Sequence, residues 1–277
     1  VIIPDSKLVT DIVPSQGYLN DAYLPRVTAS INSVVVHTTG AGPVKRLSAS
    51  KFARWREKHA FLPRDLDRFG WSKDEAAFYA ALWIYSKAYT PGPHYVVGQE
   101  LGLITQVCPE RLAAWHVGGS GSRMYSTRPE SWWRSGAYTW WRNSFPDLDS
   151  PRDLAGGQLY MPYEVPAGAS IPRQRARMVA KYAKGSVNAG SVGIEVVPRV
   201  EDPQGPWTGA CWHNLSELLL DITGRRDIVR NREHVVTHSI AHPISRTTKR
   251  GKPWDTVSSQ FTYEALERVE PRFRAQE

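Results

Sequence analysis

Residues 33–40 read SVVVHTTG: consecutive valines between a serine and a histidine, closed by two threonines and a glycine. β-Branched residues in an unbroken run, without a helical period, predict a short strand, and the small polar residues after it predict a turn. That places His37 at the strand's carboxyl end. Such a strand shows no alternation of apolar and polar residues, so it suits the middle of a sheet covered on both faces. Other segments share this character. HYVVGQELGLITQV (94–107) gives two β-rich runs around a turn bounded by Gly98 and Gly102, as in a hairpin. SVGIEVV (191–197) and HVVTH (234–238) are each read as a further strand of the same set.

Helices are predicted between these strands, which makes the chain α/β. Ser72 and Glu75 form an S-x-x-E capping box ahead of AAFYAALWIYSKA, and Gly185 is the predicted C-cap of RQRARMVAKYAK. From Thr208 onward, Cys211, Leu215, Leu218, Leu219 and Ile222 fall on one face at helical spacing, with the stop expected at Gly224.

At 277 residues, one elaborated domain over residues 1–277 accounts for the chain. Its insertions are expected at about 41–92, which reads as helical, and 119–170, which is rich in Trp and Tyr. In the second insertion Trp132, Trp133, Trp140 and Trp141 either stack on sugar rings or fill the insertion's own small core. On a strand the members of each pair point to opposite faces, which allows both.

The hydrophobic content of 41% and charged content of 22% are those of a globular protein, and the longest apolar run, residues 76–85, is too short to span a membrane. A net charge of +8 favours an anionic partner, such as an acidic membrane surface or a cell-wall polymer. The basic residues show no DNA-reading helix or zinc-finger spacing, so nucleic acid is not expected. Cys108 and Cys211 cannot make a disulfide framework and are expected to be buried thiols. The opening VIIPDSKLVTDIVP lacks the basic start and small-residue cleavage site of a secretion signal.

The histidines at strand ends raise the question of a metal. Zinc takes tetrahedral N, S or O ligands, and a catalytic site uses three protein groups and leaves the fourth position to water. His37, His238 and Asp255 make such a candidate set. Against it stands the plain reading of each histidine as a hydrogen-bonded residue after a strand. His242 is a rival ligand through H-x3-H spacing, but Pro243 interrupts the helix that this spacing needs. Glu195, a carboxylate in an otherwise apolar strand, needs a partner: it is either a general base or a structural ion-pair member.

VVVHTTG, PGPHYVVGQELGLITQV, AAWHVGG, NAGSVGIEVV and VVTHSIAHP…KPWD follow one another in the order found in zinc-dependent N-acetylmuramoyl-L-alanine amidases. The chain resembles their type 2 group, related to T7-type lysozymes and peptidoglycan recognition proteins. The resemblance implies a central mixed sheet flanked by helices, one zinc ion, and cleavage of the amide joining N-acetylmuramic acid to L-alanine. It also implies a periplasmic or extracellular setting and a peptidoglycan or muropeptide substrate. His37 and His238 match the histidine ligands, Asp255 the third ligand, and Glu195 the acidic residue that handles water. Lys252, with Lys249 as the alternative, takes the cationic role that stabilises the oxyanion. His94, Trp115, His116, Asn188 and Trp254 match residues expected at the substrate cleft. The stretch between Pro243 and Asp255 is longer than the family's, and Pro93 stands where T7-type enzymes have tyrosine. Two other readings are a non-catalytic peptidoglycan-binding protein on the same fold and an amidase that recycles soluble muropeptides.

Overall fold

The computed structural model describes residues 4–14, 24–25, 31, 33–39, 72–86, 92–114, 116–117, 190–232, 234–238 and 259–274. Along the chain these form β1 (Asp11–Ile12), β2 (Leu24–Pro25), β3 (Ser33–Thr38), α1 (Lys73–Ser86), β4 (Tyr95–Val97) and β5 (Ile104–Gln106). There follow β6 (Leu112–Ala113), β7 (Ser191–Val196), α2 (Gly209–Arg226), β8 (Val235–Thr237), α3 (Tyr263–Val269) and a 3-10 turn at Pro271–Phe273.

Among the described residues the main sheet runs in the order β1-β5-β4-β7-β3-β8, and β2 pairs with β6 apart from it. β4, β7, β3 and β8 are parallel, β5 is antiparallel to β4, and β1 is parallel to β5, so the sheet is mixed. The expected hairpin is the β4–β5 pair, in which Tyr95 faces Gln106 and Val97 faces Ile104. Gly102 takes φ +77° in its turn, a conformation that side chains resist. β3 and β7 lie in the sheet's interior as expected, whereas β8 ends the order of strands among the described residues. It is buried all the same.

Strand alternation divides the side chains between two cores. Val34, Val36, Val192, Ile194, Val196, Tyr95 and Val235 point to one side, where they meet Cys211, Leu215, Leu218, Leu219 and Ile222 of α2. That is the helix face predicted from spacing, and all five α2 residues are fully buried. On the other side Val96 and Val107 pack on Ala77, Phe78, Ala81 and Leu82 of α1. This second face is the one that carries His37 and Glu195.

The helix ends follow local chemistry. Ser72 and Glu75 form the reciprocal capping box: Glu75 N–H donates to Ser72 Oγ at 3.1 Å, and Ser72 N–H to Glu75 Oε2 at 3.1 Å. Thr208 caps α2 by accepting from Cys211 N–H at 3.1 Å. The stop expected at Gly224 lies further on: α2 continues to Arg226, and Asp227 takes the left-handed C-cap at φ 53°. The two added residues, Arg225 and Arg226, are held by their guanidinium groups, which both reach the buried Glu110. Asp tolerates the left-handed position that glycine more often fills. The Gly185 cap, the Trp-rich insertion at 119–170 and residues 41–71 lie outside the described residues.

Cys108 and Cys211 are both buried thiols with no disulfide between them, and burial pushes the Cys211 thiol far up. Among the described residues no helix is long and apolar enough to cross a membrane.

Candidate active site

Parallel register builds the site. His37 on β3 stands opposite Glu195 on β7, and Val36 stands opposite Thr237 on β8. His37, Glu195 and His238 therefore come to the carboxyl ends of neighbouring strands, on the face away from α2. Alternation explains the shared face: His37 follows Val36 and Glu195 follows Ile194, both in the α2 core, and His238 lies three positions beyond Val235 of the same core.

His37 Nδ1 and His238 Nδ1 lie 2.8 Å apart, with the two rings crossed at 73°. Glu195 Oε1 stands 4.0 Å from His37 Nδ1; its side chain keeps 14% exposure, while that of His37 is fully buried. Two ring nitrogens at this distance either share a proton or converge on one cation. Nitrogens on a single tetrahedral zinc stand about 3.3 Å apart, since each bond is about 2.0–2.1 Å. Small side-chain rotations open the pair by that margin, so these two nitrogens fit two corners of a zinc site. Among the described residues no group of three or more His, Cys, Asp or Glu side chains is gathered as a metal site. Asp255, the expected third ligand, lies outside them, as do His242, Lys249, Lys252, Trp254, Trp115 and Asn188.

Beneath the pair a third imidazole is wedged in. His116 is 7% exposed. Its Nδ1 lies 2.9 Å from His37 Nε2, and its Nε2 lies 3.1 Å from Ser191 Oγ. Both ring nitrogens thus engage side chains of the sheet. The ring sits over Gly193, where an added Cβ would stand 2.3 Å from His116 Cγ. Only glycine leaves room there, a strand glycine marking close approach.

His94, also expected at the cleft, is fully buried at the start of β4. Its Nδ1 accepts from Gly193 N–H at 2.9 Å, and its Nε2 lies 3.0 Å from the Leu112 carbonyl, to which it donates. Its two polar atoms therefore serve the backbone, tying β7 to β6. Reading motifs along the chain missed Ser191 and Gly193 as members of the site. The available signal was a glycine inside the apolar strand SVGIEVV, which points to a close neighbour.

No curated protein matches the chain. A solved structure described as a crystal structure of a selenomethionine AmpD derivative is similar at a TM-score of 0.44 and 15% identity, over 97% of this chain and 99% of that one. The family model described as N-acetylmuramoyl-L-alanine amidase matches residues 27–252. That span takes in His37, Glu195 and His238, and it covers most of the sequence: the chain belongs to the N-acetylmuramoyl-L-alanine amidase family.

Proposed function

We propose that the protein is a zinc-dependent peptidoglycan hydrolase that cuts the amide between N-acetylmuramic acid and the L-alanine of the stem peptide. The observation that carries this reading is the meeting of His37 Nδ1 and His238 Nδ1 at 2.8 Å, with the Glu195 carboxylate 4.0 Å from the former. Membership of the amidase family supports the substrate class, and a net charge of +8 suits an anionic wall polymer. The expected setting is periplasmic or extracellular.

In this reading His37, His238 and Asp255 hold the ion. Zinc, when bound, supplies a Lewis acid that polarises the amide carbonyl and makes water nucleophilic near neutral pH. Glu195 accepts the proton of the attacking water at its carboxylate and delivers it to the leaving alanine nitrogen. Its side chain is partly exposed, so it reaches both partners. Lys252, or Lys249 in its place, stabilises the negative charge that develops on the carbonyl oxygen. Trp115, Asn188 and Trp254 contact the substrate, while His94 and His116 support the strands beneath.

The test is mass spectrometry of purified peptidoglycan after digestion. Release of stem peptides with a new L-alanine amino terminus, from glycan that keeps its muramic acid, is expected. A different cut bond refutes the assignment. Binding without any cleavage turns it into the non-catalytic reading, and cleavage confined to soluble muropeptides turns it into the recycling one.

A further inference from the structure

Ser191 Oγ, His116 and His37 form a continuous row beneath the histidine pair, with links of 3.1 Å and 2.9 Å. The row ends on His37 Nδ1, the atom that faces His238. Each neutral imidazole carries one N–H and one lone pair, so the protons in such a row run in one of two directions. In one, Ser191 donates to His116 Nε2, His116 Nδ1–H donates to His37 Nε2, and the His37 proton is left on Nδ1. In the other, His37 Nε2–H donates to His116 Nδ1, His116 Nε2–H donates to Ser191 Oγ, and the His37 Nδ1 lone pair faces His238. A cation between the two Nδ1 atoms is compatible with the second direction alone.

We propose that His116, backed by Ser191, is a positioning residue that fixes the tautomer and ring plane of His37, so that its Nδ1 lone pair is presented to the metal. This rests on the zinc reading above. The packing supports it independently of that reading. His116 lies flat on Gly193, at a spacing that excludes even a methyl group, and its ring crosses that of His37 at 89°. The sheet thereby closes one side of the ring at Gly193, and His37 holds its Nδ1 edge. Hydrogen bonds of this kind to a ligating histidine set its orientation and raise its basicity, and their loss typically costs about 10–100-fold in metal affinity.

The experiment measures zinc affinity by competition with a chromophoric chelator, using the full chain and zinc chloride, with circular dichroism as the folding control. His116→Leu, which removes the acceptor, is expected to weaken zinc binding about 10–100-fold. His116→Asn, whose carboxamide oxygen stands near the position of Nδ1, recovers most of that loss, and Ser191→Ala gives a smaller loss than His116→Leu. Two-bond proton–nitrogen NMR of the wild-type zinc form is expected to place the proton on Nε2 of both His37 and His116. A His116 proton on Nδ1 overturns the proposal, as does unchanged affinity in a folded His116→Leu. Should His116→Leu fail to fold, the wild-type tautomer and Ser191→Ala decide. His37→Ala separates the two readings: if it keeps wild-type zinc affinity the metal site itself is wrong, whereas if it loses zinc while His116→Leu does not, the positioning role alone fails.

Discussion

At the scale of single residues, the site depends on groups whose neighbours leave them little freedom. Glu195 is the strand carboxylate beside His37, and Glu195→Gln keeps its shape while removing the proton acceptor. Turnover is expected to fall about 10²–10⁴-fold with bound zinc retained; loss of zinc or of fold in that variant would instead make Glu195 a structural ion-pair member. Gly193→Ala places a methyl group against the His116 ring. The expected cost is about 1–3 kcal/mol, the usual range for overpacking a filled core, read from the shift of a urea unfolding midpoint. Between the two lysines, Lys252→Ala is expected to lower turnover about 10²–10³-fold, the cost of one oxyanion donor, while Lys249→Ala is mild. The reverse order of effects would assign the role to Lys249. His37 and Glu195 were legible in the sequence because a polar residue in an apolar strand stands out. Ser191 was not, because a small hydroxyl at a strand's start is common and its partner His116 is distant in the chain.

Between elements, a buried ionic cluster joins α2 to the hairpin side of the sheet. Glu110, fully buried, accepts from Arg225 at 2.8 and 3.1 Å, from Arg226 at 2.6 Å and from the Tyr95 hydroxyl at 2.6 Å. Burial pushes its carboxyl up, but the hydrogen bonds from Arg225, Tyr95 and Arg226 outweigh that and hold it down at about 2, against an ordinary 4.5. The unfolded chain therefore binds this proton at a pH where the native chain does not. The cluster's stabilisation is present above about pH 4.5 and fades as pH falls towards 2. Glu110→Ala removes the acceptor shared by the Tyr95 hydroxyl and two guanidinium groups, of which Arg225 keeps its bond to Asp221 at 2.9 Å. A loss of about 3 kcal/mol at pH 7 is expected, at the low end for broken buried pairs because both arginines reach solvent. Urea unfolding at pH 7 and pH 3 checks both parts, since the variant should lose less relative to wild type at pH 3; an equal gap at both pH values would remove Glu110 as the source of acid sensitivity. The capping box at Ser72, the start of α2 at Thr208 and the apolar face of α2 were legible because each is set within a turn or two of chain. The end of α2 was not: Gly224 is a sound local stop signal, overridden by two arginines that reach an acid far away in sequence.

For the whole molecule, the expected dependence is on metal. Removing zinc with a chelator should abolish cleavage and lower the unfolding temperature, and added zinc should restore both, since a ligand that binds the native state alone stabilises it. Full activity after chelation would refute the zinc reading. The sequence by itself determined β3, β4, β5, β7 and β8, the β4–β5 hairpin, two helix starts, the buried face of α2 and the presence of His37, Glu195 and His238 at strand ends, while the short strands β1, β2 and β6 were not read from it. The features it determined follow from periodicity, β-branching and capping over short spans of chain. The tertiary structure decided the strand order, the 2.8 Å approach of His37 to His238 and the insertion of His116 beneath them. These contacts join residues 201 and 79 positions apart. No local preference fixes such distances, because they depend on which strands lie side by side, on the register between them and on the packing of two cores against opposite faces of one sheet.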